Sequence, residues 1–119
     1  MKGIGIDLCG IERIARAMEG NERFLMKYYT EEERGWISRK GKAGDQSAAA
    51  MFAAKEAFLK AVGVGLALPL QDIEVLHTEL GQPYYHLMGK AKEAADGGEA
   101  LLSITHEGLM AAAVCIWQK

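Results

Sequence analysis

The alanine-rich stretch from Gln46 to about Val62 has the strongest local helix propensity in the chain, and a helix of that length is the largest element the fold must accommodate. Asp45 stands where an N-cap belongs, and Gly63 and Gly65 close the run. The 119 residues make one domain, 1–119, with enough length for its own core, so the flanking segments must complete that core around the helix.

On the N-terminal side, Ile4, Ile6 and Leu8 alternate with Gly5, Asp7 and Cys9, the period of a strand with one buried face. Beyond Gly10, Ile11, Ile14, Ala15 and Met18 recur at helical spacing as far as Gly20-Asn21. A second short helix holds Phe24, Leu25 and Tyr28, and Thr30 with Glu33 is a capping-box signature for a third, running through Trp36 and Ile37. Residues 39–44 read as a basic, flexible loop. On the C-terminal side, Ile73, Val75 and His77 alternate with Glu74, Leu76 and Thr78, and Gly81-Gln82-Pro83 turns the chain into Tyr84 to Leu87 as a hairpin. A short helix from Gly89 to Ala95 and two apolar strands, Leu101 to Thr105 and Leu109 to Trp117, complete an α+β domain with an antiparallel sheet.

Fourteen Lys plus Arg against sixteen Asp plus Glu give a net charge of -2, which excludes nucleic-acid binding through overall charge. The longest apolar run, Leu109 to Trp117, falls far short of the roughly 18 residues of a membrane span. Asp7 interrupts the N-terminus before any secretory leader forms, so a cytoplasmic protein is expected. Cys9 and Cys115 lie at opposite ends in apolar runs without metal-ligand spacing, which predicts buried free thiols.

Two carboxylates are out of place. Asp7 ends an apolar strand, where it serves either as a cap for the next helix or as a functional group. Glu56 shares a helical face with Ala49, Phe52, Ala53 and Leu59, and a carboxylate in such a stripe should be paired, protonated or holding a cation. An ion pair with Lys60 at i,i+4 is the simple structural explanation. It leaves unexplained the dense set Lys55, Glu56 and Lys60 running into Gly63-Val64-Gly65, where bare backbone can approach a phosphate, although Gly63 also reads as a plain C-cap. Carboxylates, lysine and glycine together are the ingredients of a magnesium-phosphate site. His106 lies at a strand-to-turn junction beside Ser103 and Thr105, either as a hydrogen-bonding residue or as part of a site.

Gly5-Ile6-Asp7 with Ile11-Glu12-Arg13-Ile14, and Phe52-Ala53-Ala54-Lys55-Glu56-Ala57-Phe58-Leu59-Lys60-Ala61, resemble the two signature motifs of the holo-[acyl-carrier-protein] synthases, the small bacterial 4′-phosphopantetheinyl transferases. Gly81-Gln82-Pro83 and Ser103-Ile104-Thr105-His106 follow in the expected order, so the resemblance covers nearly the whole chain. It implies a phosphopantetheinyl transferase-like fold, with an antiparallel sheet and a long central helix, assembled as a homotrimer with sites between subunits. It further implies transfer of 4′-phosphopantetheine from coenzyme A to a serine of apo acyl carrier protein, with Mg²⁺ bound and adenosine 3′,5′-bisphosphate leaving.

By the same resemblance Asp7 and Glu56 hold the metal and Lys60 lies near the transferred phosphate, these three being the catalytic set. Lys55, Lys60, Gly63, Gly65, Ser103 and His106 contact coenzyme A, and either Glu56 or a water held by the metal takes the serine proton. Arg13, Arg16, Met18, Arg23 and Phe24 alternate basic and apolar character in the first helices, as docking of an acidic carrier protein requires, and also as a solvated helix face would. One departure is Met51, where many relatives carry arginine; the basic loop of Arg39, Lys40 and Lys42 is the candidate substitute. Two other readings compete: a Mg²⁺-dependent nucleotide phosphohydrolase, and an inactive carrier-protein or coenzyme A binding module. The second is disfavoured because such a module has no need of Asp7, Glu56 and Lys60 together.

Overall fold

Glycine decides how the first strand meets the longest helix. In the computed structural model, which describes residues 1–63 and 68–119, the strand β1 (Gly3–Gly10) is followed by three helices, α1 (Ile11–Met18), α2 (Glu22–Tyr28) and α3 (Glu31–Arg39). A 3-10 turn at Gly41–Ala43 leads into α4 (Gly44–Val62), the element against which the others are arranged. A Cβ on Gly3 would lie 2.0 Å from the Ala61 carbonyl oxygen, and one on Gly5 would lie 2.0 Å from that of Ala57. The helix therefore rests directly on strand backbone, closer than any side chain at these positions allows.

A second 3-10 turn, Leu70–Asp72, is followed by β2 (Ile73–His77), β3 (Pro83–Leu87), α5 (Gly89–Ala95), β4 (Glu99–Glu107) and β5 (Met110–Gln118). Among the described residues these strands make two antiparallel sheets, one in the order β1-β5-β4 and the other a β2-β3 hairpin. This is the expected α+β class with α4 at its centre. Ala48, Ala49, Ala53, Ala54 and Ala57 of α4 are buried with Tyr29, Met51, Phe58, Ile73, Val75 and Cys115. Both cysteines are free and buried, as their positions in apolar runs suggested.

The two-residue period of β1 is present, and the face with the large aliphatic side chains is the exposed one. Ile4, Ile6 and Leu8 are 56%, 68% and 64% exposed, while Gly5 and Cys9 are buried. The reason is the glycine contact: the inner face is the one that admits α4, so the large aliphatic side chains must point away from it. The register puts Ile4 beside Ile116 and Leu101, Ile6 beside Val114 and Ser103, and Leu8 beside Ala112 and Thr105, all on the outer face. The inner face carries Asp7 beside Ala113 and Ile104, and Cys9 beside Ala111 and His106.

The helix ends follow local chemistry with two corrections. Thr30 Oγ1 accepts from the Glu33 N–H and Glu33 accepts from the Thr30 N–H, the capping box the sequence indicated. Asp45 does not cap α4; the N-cap is Ala43, because the preceding 3-10 turn delivers the chain already helical. Asp7 does not cap α1 either, since its N-cap Gly10 receives no side-chain hydrogen bond. Gly63 ends α4 in the left-handed region at φ 74, and its N–H donates to Leu59 O. Gly65 lies outside the described residues.

Gly5→Ala places a methyl group inside the Ala57 carbonyl contact, so it should cost about 3 kcal/mol or more, the upper end of overpacking penalties. Urea unfolding checks this; an unchanged midpoint would show that α4 can lift off β1 at little cost.

Candidate active site

β1 and α4 run so closely together that polar side chains on one reach the other. Lys60, in the last turn of α4, passes its stem over Gly5, where a Cβ would come within 2.9 Å of the Lys60 Cβ. Its ammonium donates to Asp7 Oδ1 at 3.2 Å and to Ile6 O at 3.0 Å. The expected Glu56–Lys60 ion pair is thus replaced by a Lys60–Asp7 pair across two elements. Glu56 is half-buried one turn earlier, and burial, followed by the Asp7 charge, pushes its carboxyl above the ordinary glutamate range, with Lys60 opposing. Asp7, Glu56 and Lys60 are therefore one electrostatic cluster.

Among the described residues no three His, Cys, Asp or Glu side chains are gathered tightly enough to enclose a metal by themselves. Two carboxylates, one resisting ionisation partly because of the other, nevertheless suit Mg²⁺, which takes one or two carboxylates and completes its shell with water and phosphate oxygens. Beside Glu56 opens a hollow of about 430 Å³ lined by Lys27, Tyr28, Phe52, Leu68, Pro69 and Leu70. Its apolar wall is braced by Phe24, stacked on Phe52 at 6.2 Å and edge-on to Tyr28 at 5.0 Å.

Lys55 has a different fate from its neighbour. It is 0% exposed, and its three ammonium protons go to Glu33 Oε1 at 2.8 Å, Leu70 O at 2.9 Å and Ile73 O at 2.9 Å. With every donor used and no surface left, it makes no coenzyme A contact in this arrangement; it ties α4 to α3 and to the turn before β2. Burial pulls its pKa down, and Glu33 pulls it back up. Glu33 is more than a capping residue, since its second oxygen also accepts from the Val75 N–H at 2.8 Å. The burial of α4 on all sides at Lys55 had no local sequence signal.

Ser103 and His106 do not join the carboxylates. Ser103 lies on the outer face, and His106 is at the far end of α4, where its Nδ1 is 2.9 Å from Gln46 Nε2. Gln46 precedes Glu56 by ten residues, about 15 Å of helix. There a second hollow of about 250 Å³ is lined by Trp36, Lys40, Gln46, His77, Gly81 and His106. Trp36 stacks on His77 at 3.9 Å, with the Lys40 ammonium 4.2 Å from the indole ring centre. Burial, then the Lys40 charge, lowers the pKa of His77. Met51 is buried, so that position presents nothing to a ligand, while Lys40 of the basic loop does line a hollow. Nothing in a linear pattern links Trp36, Gln46 and His77, which come from the end of one helix, the start of another and a distant strand.

In the first helices Arg13 and Arg23 are exposed, and Arg16 is paired with Glu12 at 2.5 Å. Met18 and Phe24 pack against the core rather than forming an outward apolar stripe. The exposed apolar residue nearby is Met26, with Arg23 and Lys27 at i−3 and i+1 on the same helix.

This cluster on a glycine-seated helix can be set beside known proteins. Residues 3–114 match the 4′-phosphopantetheinyl transferase superfamily, and the chain belongs to that family. Among curated relatives, the holo-[acyl-carrier-protein] synthase of Alkaliphilus metalliredigens is 47% identical over 89% of each chain. Among solved structures, the holo-[acyl-carrier-protein] synthase of Neisseria meningitidis superposes with a TM-score of 0.86 at 31% identity, covering 100% of this chain and 99% of that one. The Helicobacter pylori holo-[acyl-carrier-protein] synthase, in complex with coenzyme A, gives a TM-score of 0.85 at 28% identity, covering 97% and 99%.

The raised Glu56 pKa has a consequence for stability. Folding holds its proton more tightly than the unfolded chain does, so the stabilisation that proton brings is fully present in acid and is lost as the pH rises through the folded value. Glu56→Gln should therefore unfold at a somewhat higher urea concentration than the parent at pH 7. The difference should vanish as the pH falls into the ordinary glutamate range; a Gln variant less stable at pH 7 would contradict the assignment.

Proposed function

We propose that this chain transfers the 4′-phosphopantetheine group from coenzyme A to a serine of apo acyl carrier protein, releasing adenosine 3′,5′-bisphosphate, and that it does so with Mg²⁺ as a cytoplasmic homotrimer. The observation that carries the reading is the meeting of Asp7, Glu56 and Lys60 where β1 and α4 touch, in a member of the phosphopantetheinyl transferase superfamily. Mg²⁺ held by Asp7 and Glu56 would neutralise charge on the pyrophosphate. Lys60, within reach of Asp7 and half-exposed, is free to turn toward the transferred phosphate. The apolar hollow beside Glu56 suits the uncharged pantetheine arm. Glu56, or a water held by the metal, would accept the serine proton. Most of the rate then comes from positioning and electrostatics.

Assembly explains the scattered residues. Ile4, Ile6, Leu8 and Leu101 expose a continuous apolar sheet face, which a lone soluble chain has reason to cover. Covering it with a copy of the chain would bring Ser103 of one sheet toward the site of its neighbour and let the His106 hollow serve a coenzyme A molecule anchored on another subunit. Gly63 stands exposed at the end of α4 as a backbone contact for that ligand. For the carrier protein, exposed Arg13 and Arg23 with Met26 and Lys27 offer basic and apolar contacts to an acidic helix. Among the described residues no helix is long and apolar enough to cross a membrane.

Intact-mass spectrometry of apo acyl carrier protein incubated with this protein and coenzyme A should show the gain of one phosphopantetheine group, abolished by chelation of Mg²⁺. No gain with any carrier, despite coenzyme A binding, would favour an inactive binding module; release of adenosine bisphosphate without a carrier would favour a phosphohydrolase. Ile6→Lys should shift the protein from trimer to monomer in light scattering and cut transfer at least about tenfold while leaving circular dichroism unchanged. A fully active monomer would remove the shared site.

A further inference from the structure

Lys60 is doing something that a phosphate-binding lysine need not do. Two of its ammonium protons are engaged within the cluster, on Asp7 Oδ1 at 3.2 Å and on Ile6 O at 3.0 Å, and its stem is laid over Gly5 in the gap that the missing side chain leaves. The Asp7 side chain is only 18% exposed, whereas that of Lys60 is 56% exposed. The carboxylate lies on the inner face of the sheet, mostly covered, with the ammonium already on one of its oxygens. The lysine, by contrast, can swing away into solvent at low cost.

We infer that Lys60 is a placeholder for the divalent cation: until coenzyme A arrives, its ammonium occupies Asp7 and keeps metal affinity low, and the phosphate that draws Lys60 away releases Asp7 to the metal. The inference rests on the reading of Asp7 and Glu56 as the metal carboxylates. A cation approaching Asp7 must displace or share with a positive charge already in hydrogen-bond contact, and Glu56 feels the same charge, since Lys60 opposes the effect of Asp7 on it. A phosphate group carries more charge than Asp7 and is the better partner for the ammonium. Once Lys60 turns to it, two negative carboxylates stand unneutralised, and a divalent cation restores the balance. By linkage, coenzyme A strengthens metal binding and the metal strengthens coenzyme A binding by the same factor. Lys60 thus couples the order of assembly as well as contacting substrate.

Mn²⁺ binding, read as loss of the free-ion paramagnetic resonance signal, tests this on the intact protein with neither coenzyme A nor carrier present. Lys60→Gln should bind Mn²⁺ about three- to tenfold more tightly than the parent, the scale of a partly exposed ion pair. Lys60→Met, which keeps the stem over Gly5, should do the same. Lys90→Gln, which removes an equal charge that is exposed and makes no ion pair among the described residues, should change binding less than twofold. Equal or weaker binding by both Lys60 variants overturns the inference, and so does equal tightening by Lys90→Gln, which would reduce the effect to bulk charge. If Asp7→Asn binds Mn²⁺ as tightly as the parent, the metal reading itself fails and this inference with it.

Discussion

Gly3 and Gly5 leave β1 without side chains where α4 crosses it, and from that contact the rest of the structure follows. A helix seated on bare backbone brings its own side chains to the strand's inner residues. Lys60 reaches Asp7, and Glu56 comes within range of the same carboxylate. The contact also forces Ile4, Ile6 and Leu8 outward, so the geometry that builds the charged cluster inside produces the apolar face outside. A bulkier residue at either glycine would disturb both at once, because the charged cluster and the exposed apolar face share one steric condition.

Adjacent residues on α4 illustrate how rotation by about 100° per residue separates structural from functional roles. Lys55 turns into the protein, where Glu33 and two carbonyls absorb all its donors; truncating either member of such a buried pair costs about 3–5 kcal/mol because the other charge is stranded. Glu56 turns to the edge, half-buried, where it keeps an elevated proton affinity and access to a hollow. A motif containing Lys-Glu thus turns one side chain inward as scaffold and the other to the edge of a hollow.

Much of the fold was legible because its signals are local. The capping box at Thr30, the stop at Gly63, the hairpin turn at Gly81 and the periods of the strands each depend on neighbours within a few positions. Asp7, Glu56 and Lys60 were legible as residues out of character with their surroundings. What could not be read was orientation. Period two does not say which face of β1 is buried, because that depends on a helix some fifty residues away, and the hydrophobicity of Ile4, Ile6 and Leu8 pointed to the wrong answer. The inward turn of Lys55, Met18 and Phe24 was hidden for the same reason, since amphipathic spacing identifies a face without naming what covers it.

The chain has two tryptophans, and they occupy different settings. Trp117 is anchored by its indole N–H to Ala95 O at 2.9 Å, away from either hollow, whereas Trp36 forms a wall of the His106 hollow with its ring against His77. Each indole faces a lysine, Lys40 at 4.2 Å for Trp36 and Lys2 at 5.2 Å for Trp117, but Trp36 alone lines that hollow and stacks on His77 there, so a ligand entering it displaces the neighbours of Trp36. The protein therefore carries a built-in optical reporter with its own internal reference: a ligand entering that hollow alters the emission of Trp36 against the steady background of Trp117, and binding becomes visible without any label.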